Sequence, residues 1–151
     1  MLRLSKKMMF AIEAVVDIAY HSSGLPVQSR EITRRQGIPQ RYLEQALQQL
    51  VRSGILTGTR GPRGGYNLAR ERRRISVGDI VRIVRTMETA ADLPSDDNGS
   101  ELSGKVIRPM WEDLQSDMMT KLDGITIDDL CNQANRQGVE SEGRQNLDFS
   151  I

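Results

Sequence analysis

The stretch IPQRYLEQALQQLVRSGILTGTRGPRGGYNLAR, which runs from Ile38 to Arg70, decides the fold. Its first half has apolar residues at helical spacing with polar residues between them, which predicts an amphipathic helix that ends at Gly54. Ile55 to Thr59 and Tyr66 to Leu68 then have the β-branched and aromatic content of two short strands. The turn between them holds three glycines, one proline and two arginines. The stretch therefore predicts a helix followed by a hairpin with a basic tip.

Two further helices are predicted upstream. Lys6 to His21 has an apolar stripe that is broad enough for a mostly buried helix. Gly24 opens a turn, and Ser29 is a candidate N-cap for a short helix from Arg30 to Gln36. This order of elements describes a winged helix-turn-helix, so the predicted fold class is mainly α with a small β wing. The apolar stripe of the first helix comprises Met8, Met9, Ile12, Val15, Val16 and Ala19, and Phe10, Ala14 and Ile18 broaden it.

The second half of the chain predicts a dimerisation region. Ser76 can cap a helix that continues to Met87, and residues 89–104 are acidic and rich in small residues, as in a flexible loop. The following helix, which starts or bends near Pro109, repeats apolar residues in steps of four, three, four and four, the pattern of a seam against another helix. We expect a DNA-binding domain over residues 1–75, a dimerisation region over 76–135 and a disordered tail over 136–151. The seam comprises Ile107, Trp111, Leu114, Met118 and Leu122.

Composition restricts the class of protein. The chain has 151 residues, of which 38% are hydrophobic and 4% aromatic, so it is one small domain for which an obligate oligomer is favoured. One cysteine, Cys131, and one histidine exclude an intrachain disulfide and an ordinary zinc site. Glu13 and Asp17 interrupt the apolar N-terminal stretch, and no small-residue cleavage site follows it. We therefore expect a cytoplasmic protein without a membrane partner.

Charge is distributed unevenly along the chain. The net charge is only +1, but the segment from Arg30 to Arg85 has thirteen arginines against four acidic residues. That segment therefore carries +9 and the remainder −8. Arginine is the residue that suits phosphate and base-edge recognition, so the segment indicates a nucleic-acid partner rather than a solvated basic surface.

Three motifs carry a family resemblance. The segments YLEQ (residues 42–45), RGPRGGY (60–66) and ISVGDIVRIV (75–84), in this order, resemble the Rrf-two family of bacterial transcriptional regulators. The resemblance extends over about residues 1–135. It implies a homodimer that binds a partly palindromic operator in double-stranded DNA. In each half-site, one recognition helix would lie in the major groove and one wing in the minor groove.

The start of the longer helix holds the candidate base readers. Gln40, Arg41, Glu44 and Gln45 are at the end of a recognition helix that usually reaches base edges. Glutamine can pair with adenine, arginine with guanine, and glutamate can accept from the cytosine amino group. The resemblance implies that Glu44 reads bases and that the Tyr42 hydroxyl contacts a phosphate, although Tyr42 also lies on the apolar stripe. The alternative is a solvated helix face, but the adjacent wing favours readout.

The hairpin tip holds the candidate groove contacts. Arg60 and Arg63 can enter a narrow minor groove of strong negative potential, and the resemblance implies a DNA contact for Arg60. Gly64 and Gly65 allow either close backbone approach to DNA or simply a tight hairpin turn. Ser29, at the start of the short helix, completes the predicted set of DNA-contacting residues.

The sequence departs from the family where an iron–sulfur cluster is expected. The best-known members bind the cluster through three closely spaced cysteines before the tryptophan helix. Here residues 89–104 contain neither cysteine nor histidine, and Lys105 and Arg108 stand near the expected places of the last ligands. Because cluster ligation requires soft thiolates, we expect no cluster and no other cofactor. The regulatory signal would then come from a partner protein or a small metabolite.

Three other functions can be compared with this prediction. The chain has no nucleophile–base pair, phosphate loop or metal set, so an enzyme is not expected. A winged-helix module for protein interaction would be expected to lose the arginine bias, which this chain keeps. A redox regulator would sense through Cys131, whose alternative is a small, half-buried residue without a basic neighbour in sequence. The predicted function is a sequence-specific regulator of transcription, a repressor.

Overall fold

The computed structural model describes residues 4–87 and 99–143 and is mainly helical. Strands β1 and β2 form an antiparallel hairpin in which Leu56 pairs with Leu68 and Thr59 with Gly65. We call this hairpin and its tip, residues 56–68, the wing. The predicted fold class, mainly α with a small β wing, is confirmed. In chain order the elements are α1 (Lys6–His21), α2 (Ser29–Gln36), α3 (Gln40–Arg52), β1 (Leu56–Thr59), β2 (Gly65–Leu68), a 3₁₀ turn (Arg72–Arg74), α4 (Val77–Met87), a π-helical turn (Ser103–Ile107), α5 (Arg108–Asp123) and α6 (Ile127–Arg136).

Side-chain caps set the starts of several helices. The predicted start of α4 is confirmed: Asp79 N–H donates to Ser76 Oγ and Ser76 N–H donates to the Asp79 carboxylate, both at 3.0 Å. Helix α2 begins one residue earlier than predicted, and Ser29 is its first residue rather than its cap. The reason is that the Glu31 carboxylate accepts the N–H of Gln28 at 3.1 Å, which closes a capping box one residue upstream.

One apolar core joins both halves of the chain. Helix α1 lies at its centre and packs against α2, α3, α4 and α6. Its buried side chains include the predicted Met8, Ala14, Val15 and Ile18 together with Ala11, while the predicted Met9 is 43% exposed. Burial extends around the helix because partners surround α1 on several sides. Other fully buried side chains are Ile32, Ile38, Leu43, Leu47, Leu50, Ile75, Ile80 and Ile127.

The helix that contains the predicted seam is longer than expected. The chain is helical from Glu101 through the π turn to Asp123, and Ser100 Oγ accepts the N–H of Ser103 near its start. The π turn directly precedes Pro109, whose missing N–H would interrupt an α-helical hydrogen-bond ladder. The predicted loop 89–104 is therefore wrong over 101–104, while 89–98 lie outside the described residues. No helix in the described ranges is long and apolar enough to span a membrane.

The predicted disordered tail is also wrong over its described part. Residues 139–143, which we call the strap, pack against the C-terminal end of α1 and against α2. Tyr20 Oη donates to the carbonyl of Val139, and Ser141 Oγ donates to the carbonyl of Tyr20 at 2.6 Å. Glu142 forms ion pairs with Arg34 and Arg35 on α2. Acidic and polar composition predicted disorder here because the partners lie more than 100 positions earlier in the chain. Residues 144–151 lie outside the described part.

Candidate nucleic-acid interface

The outward face of α3 brings the predicted base readers together. Helix α3 turns Leu43, Leu47 and Leu50 into the core. Because of helical periodicity, Gln40, Arg41, Glu44 and Gln45 are then exposed together over its first two turns. All four predicted readers therefore share one accessible surface. Base contact by each of them stays a prediction.

Hydrogen bonds organise part of this face. Gln40 Nε2 donates to Glu44 Oε1 at 3.0 Å and, at 3.4 Å, to Ser29 Oγ on α2. Thr33 Oγ1, also on α2, donates to Gln40 Oε1 at 2.9 Å. Sequence reasoning missed Thr33, because only the folded turn brings α2 close to the start of α3. Ser29 thus faces the recognition helix from within α2.

Tyr42 lies on the surface rather than in the core. Its side chain is 45% exposed, and its ring centroid is 6.4 Å from that of Phe10 on α1 at a tilted angle. The ring therefore contacts an aromatic neighbour while a large part of it remains accessible. This placement is compatible with a phosphate contact, which stays a prediction.

The wing is held firmly beside α2. Val27, just before α2, exchanges two backbone hydrogen bonds with Tyr66 on β2, at 2.9 and 2.8 Å. Gln28 Nε2 also donates to the carbonyl of Pro62 at the tip, at 3.2 Å. Because α2 packs on α3, these contacts fix the tip relative to the recognition helix. Neither Val27 nor Gln28 was among the predicted site residues, since no local pattern marks them.

The two wing glycines serve the shape of the hairpin. Gly64 is buried, and a Cβ atom there would lie 2.2 Å from the carbonyl oxygen of Thr59. A Cβ atom on Gly65 would lie 2.5 Å from the carbonyl oxygen of Val27, and its φ of +154° also favours glycine. The close approach that requires these glycines is therefore within the protein itself. Their contact with DNA stays a prediction.

The thirteen arginines of the basic segment differ in whether an acidic side chain pairs with them. Arg34, Arg35, Arg72, Arg73 and Arg82 each form an ion pair with an acidic side chain. Within the described residues, no such partner is present for the arginines on the wing, α3 and the start of α2. Three of the latter line a cleft of about 990 Å³ between α2, α3 and the wing. On these three elements the unpaired arginines are Arg30, Arg41, Arg52, Arg60 and Arg63, of which Arg30, Arg52 and Arg60 line the cleft. Elsewhere in the segment, Arg70, Arg74 and Arg85 also form no ion pair with a described residue.

The predicted seam of α5 is partly exposed and partly packed. Ile107, Trp111 and Leu114 are 48%, 36% and 43% exposed, and no residue of α5 is fully buried. Met118 is half-buried, and Leu122 packs with Met119 against the core of its own subunit. The seam therefore offers an apolar surface mainly in its first half. Its role as a dimer interface stays a prediction.

The residues present do not fit an iron–sulfur cluster. The chain has one cysteine, and Cys131 lies in α6 with 2% of its surface exposed. Burial raises the pKa of its thiol, and the neighbouring Arg72 only partly opposes this. In residues 4–87 and 99–143, no three histidine, cysteine, aspartate or glutamate side chains form a group that could bind a metal ion. A buried, protonated thiol also weakens the interpretation of Cys131 as a redox sensor.

Comparison with known proteins agrees with this architecture. The model of the Rrf2 family, described as an iron-dependent transcriptional regulator, matches residues 4–133. The chain is 30% identical over 150 residues to the HTH-type transcriptional regulator IscR of Vibrio vulnificus strain YJ016, over 99% of this chain and 88% of that protein. It is 33% identical over 147 residues to IscR of Yersinia pseudotuberculosis, over 97% and 88% of the two chains.

Solved structures give the same result. The structure of T. potens IscR matches with a TM-score of 0.73 at 33% identity, over 93% of each chain. CymR of B. subtilis, described as the global cysteine regulator, matches with a TM-score of 0.69 at 24% identity, over 88% of this chain and 98% of that one, which shows the fold alone. The resemblance predicted from the motifs is confirmed: the chain belongs to the Rrf2 family of transcriptional regulators.

Proposed function

We propose that this protein is a homodimeric repressor that binds a partly palindromic DNA operator without an iron–sulfur cluster. In each half-site α3 enters the major groove, where every base pair presents a distinct pattern of donors and acceptors. The tip of the wing, with Arg60 and Arg63, enters the adjacent minor groove. The signal that controls binding is a regulatory protein or a small metabolite.

The unpaired arginines around the cleft are the observation that carries this proposal. The cleft separates the two reading elements, and Arg30, Arg52 and Arg60 line it without an acidic partner in the described residues. A DNA strand that passes from the major groove to the minor groove would bring its phosphates there, where guanidinium groups bind them well. A module that binds only protein would not need unpaired arginines at this place. The cleft therefore favours DNA over a protein partner.

The apolar face of α5 supports the dimer. Leu102, Val106 and Met110 are 64%, 54% and 48% exposed, next to the N-terminal half of the predicted seam. An exposed apolar face of this extent on one helix indicates an interaction surface. A second copy of the same chain is the occupant that explains a palindromic operator, because a two-fold dimer presents two identical DNA-binding surfaces.

Selection of binding sites from randomised duplex DNA tests the function. We expect the purified protein to enrich a palindrome and to contain no iron by metal assay. Arg63→Ala should weaken binding to all sequences and, if Arg63 contacts a phosphate, lower the salt slope by about one unit, since each phosphate contact releases about one counterion. Arg136→Ala on α6, which removes the same charge outside the proposed face, is the control and should leave both unchanged.

Two results would contradict the proposal. Absence of enrichment by a folded dimer would favour the protein-interaction module. Stoichiometric iron with visible absorbance would show that a cluster is bound after all.

A further inference from the structure

The hydrogen bonds around Gln40 engage both N–H donors of its amide and one of the two acceptor sites. A glutamine amide has a carbonyl oxygen with two lone pairs and an NH₂ group with two N–H donors. Here Oε1 accepts from Thr33 Oγ1 at 2.9 Å, while Nε2 donates to Glu44 Oε1 at 3.0 Å and to Ser29 Oγ at 3.4 Å. Gln40 thus joins two residues of α2 to the residue one turn further along α3.

Chemistry fixes the orientation of this amide. A carboxylate only accepts hydrogen bonds, so the NH₂ group of Gln40 must face Glu44. The carbonyl oxygen of Gln40 must then face Thr33, whose hydroxyl can donate. The reversed amide would set the carbonyl of Gln40 against the carboxylate of Glu44. The four side chains therefore have one compatible arrangement.

This arrangement conflicts with base reading by Gln40 itself. Bidentate pairing with adenine requires the carbonyl together with an N–H of the glutamine amide, and both N–H donors of Gln40 are already engaged within the protein. Glu44 is in the opposite situation. Only its Oε1 accepts a hydrogen bond from a described residue, so Oε2 is available to an amino group of a base. Gln40 also restricts the rotamers of an otherwise exposed glutamate.

We infer that Gln40 is a positioning residue, which orients the Glu44 carboxylate toward one base pair and does not read a base. This inference rests on the proposed DNA-binding function. Thr33 and Ser29 take part by fixing Gln40, so the specificity of α3 depends on its contact with α2. Specificity then comes from a preorganised acceptor, which loses less side-chain freedom when it binds.

The test compares base preferences at each operator position. Glu44→Ala should abolish preference at one base pair in each half-site. Gln40→Met keeps the length of the side chain without its hydrogen bonds, and it should relax preference at that same base pair, with affinity for the preferred operator falling about fivefold. In the Glu44→Ala background, Gln40→Met should change affinity by less than about twofold, because residues that act as one unit are not additive. Thr33→Val should relax the same base pair to a smaller extent.

Controls separate this inference from a structural effect and from the proposed function. Gln133→Met, the same change on an exposed residue of α6, should alter nothing, and every variant should keep the unfolding midpoint of the wild type. If Gln40→Met changes preference at a different base pair, or adds fully to Glu44→Ala, Gln40 reads a base and the inference is wrong. If Gln40→Met leaves the profile unchanged, Gln40 does not position Glu44. If the wild-type protein enriches no sequence, the proposed function itself fails.

Discussion

At the scale of single residues, the most constrained group is the Asp17 carboxylate. It is buried in α1, where it accepts hydrogen bonds from Arg35 Nε and Nη2 at 2.9 and 2.7 Å and from Gln36 Nε2 at 2.8 Å. A buried charge is tolerated only when it is paired and its remaining lone pairs are satisfied. The pair therefore ties α2 to α1 at a defined position. Since α2 also contacts Gln40, the position of Arg35 bears on the recognition helix.

His21 makes the stability of this region depend on pH. Its Nδ1 accepts the backbone N–H of Glu142 at 3.1 Å, which requires a neutral ring. Burial lowers the pKa of His21, and the positive charges of Arg35 and Arg34 lower it further. The negative charges of Asp17, 3.9 Å from Nε2, and of Glu142 raise the pKa but do not outweigh the lowering. Because the pKa is lower in the folded state, the full stabilisation is present above the unfolded pKa of about 6.5 and is lost as pH falls below it.

We therefore expect the free energy of unfolding to fall by about 1 kcal/mol, the contribution of one hydrogen bond, between pH 7.5 and 5.5. Urea unfolding at a series of pH values measures this. His21→Asn keeps an acceptor near the position of Nδ1 but does not titrate, so this step in the free energy of unfolding between about pH 7.5 and 5.5 should disappear. Burial raises the pKa of Glu142, but the hydrogen bonds and charges of Arg34 and Arg35 outweigh this and lower it. The ion pairs of Glu142 therefore weaken only at more acidic pH. An unchanged step in His21→Asn would assign the titration to another group.

These residues also mark a limit of sequence reasoning. Asp17 can be recognised in the sequence only as a charge that interrupts an apolar stretch, and Arg35 only as one of thirteen arginines between Arg30 and Arg85. Nothing local relates them, because the contact depends on how α2 crosses α1. The exposed face of α3 could be predicted, by contrast, since helical periodicity alone puts Gln40, Arg41 and Glu44 opposite the leucines.

At the scale of elements, the wing depends on backbone contacts rather than on an apolar core of its own. A two-stranded hairpin alone is marginally stable in water. Here the bonds of Val27 to Tyr66 add a third backbone segment to it. The strands and their basic tip could be predicted from β-branched and glycine-rich composition. The third segment could not, because Val27 follows a turn with no strand pattern of its own.

Gly64→Ala should disrupt the wing selectively. The added Cβ would meet Thr59 O at 2.2 Å and Gly61 O at 2.9 Å, both in the backbone, so the tip must open. We expect a stability loss of about 1–3 kcal/mol, the usual cost of an overpacked site. DNA affinity should fall by more than the loss of folded protein explains, because opening the tip displaces Arg60 and Arg63. Denaturant unfolding and operator binding at one temperature measure the two effects.

Gly58→Ala is the matched control within the same hairpin. A Cβ atom there would lie 3.8 Å from the nearest side-chain atom of Tyr66, an ordinary contact, so stability and binding should both change little. Equal affinity for DNA in Gly64→Ala and Gly58→Ala would mean that the geometry of the tip does not matter for binding.

At the scale of the whole molecule, charge and apolar surface are segregated. The arginine-rich segment surrounds the cleft and the wing, while most of the large exposed apolar side chains of the second half lie on the helix from Glu101 to Asp123. Hydrogen bonds of Val77 N–H to Ile125 O, at 2.8 Å, and of Ile127 N–H to Ile75 O, at 2.9 Å, connect the segment between α5 and α6 to the start of α4 and the residue before it. A dimer formed through α5 would therefore set the distance between the two DNA-binding surfaces. Half-site spacing in the operator follows from that distance.

Leu114→Arg tests this architecture. Leu114 is 43% exposed in the middle of the apolar face, and an arginine there would leave a charge without a partner in a desolvated interface. We expect monomers in sedimentation analysis at micromolar concentration, with an intact far-UV spectrum. Affinity for a full palindrome should fall toward that for a single half-site, because the second DNA-binding surface is no longer linked to the first. Ser116→Arg adds the same charge about 200° around the helix and should leave the dimer intact. A persistent Leu114→Arg dimer would place the interface on another surface and leave the exposed face of α5 to a different partner.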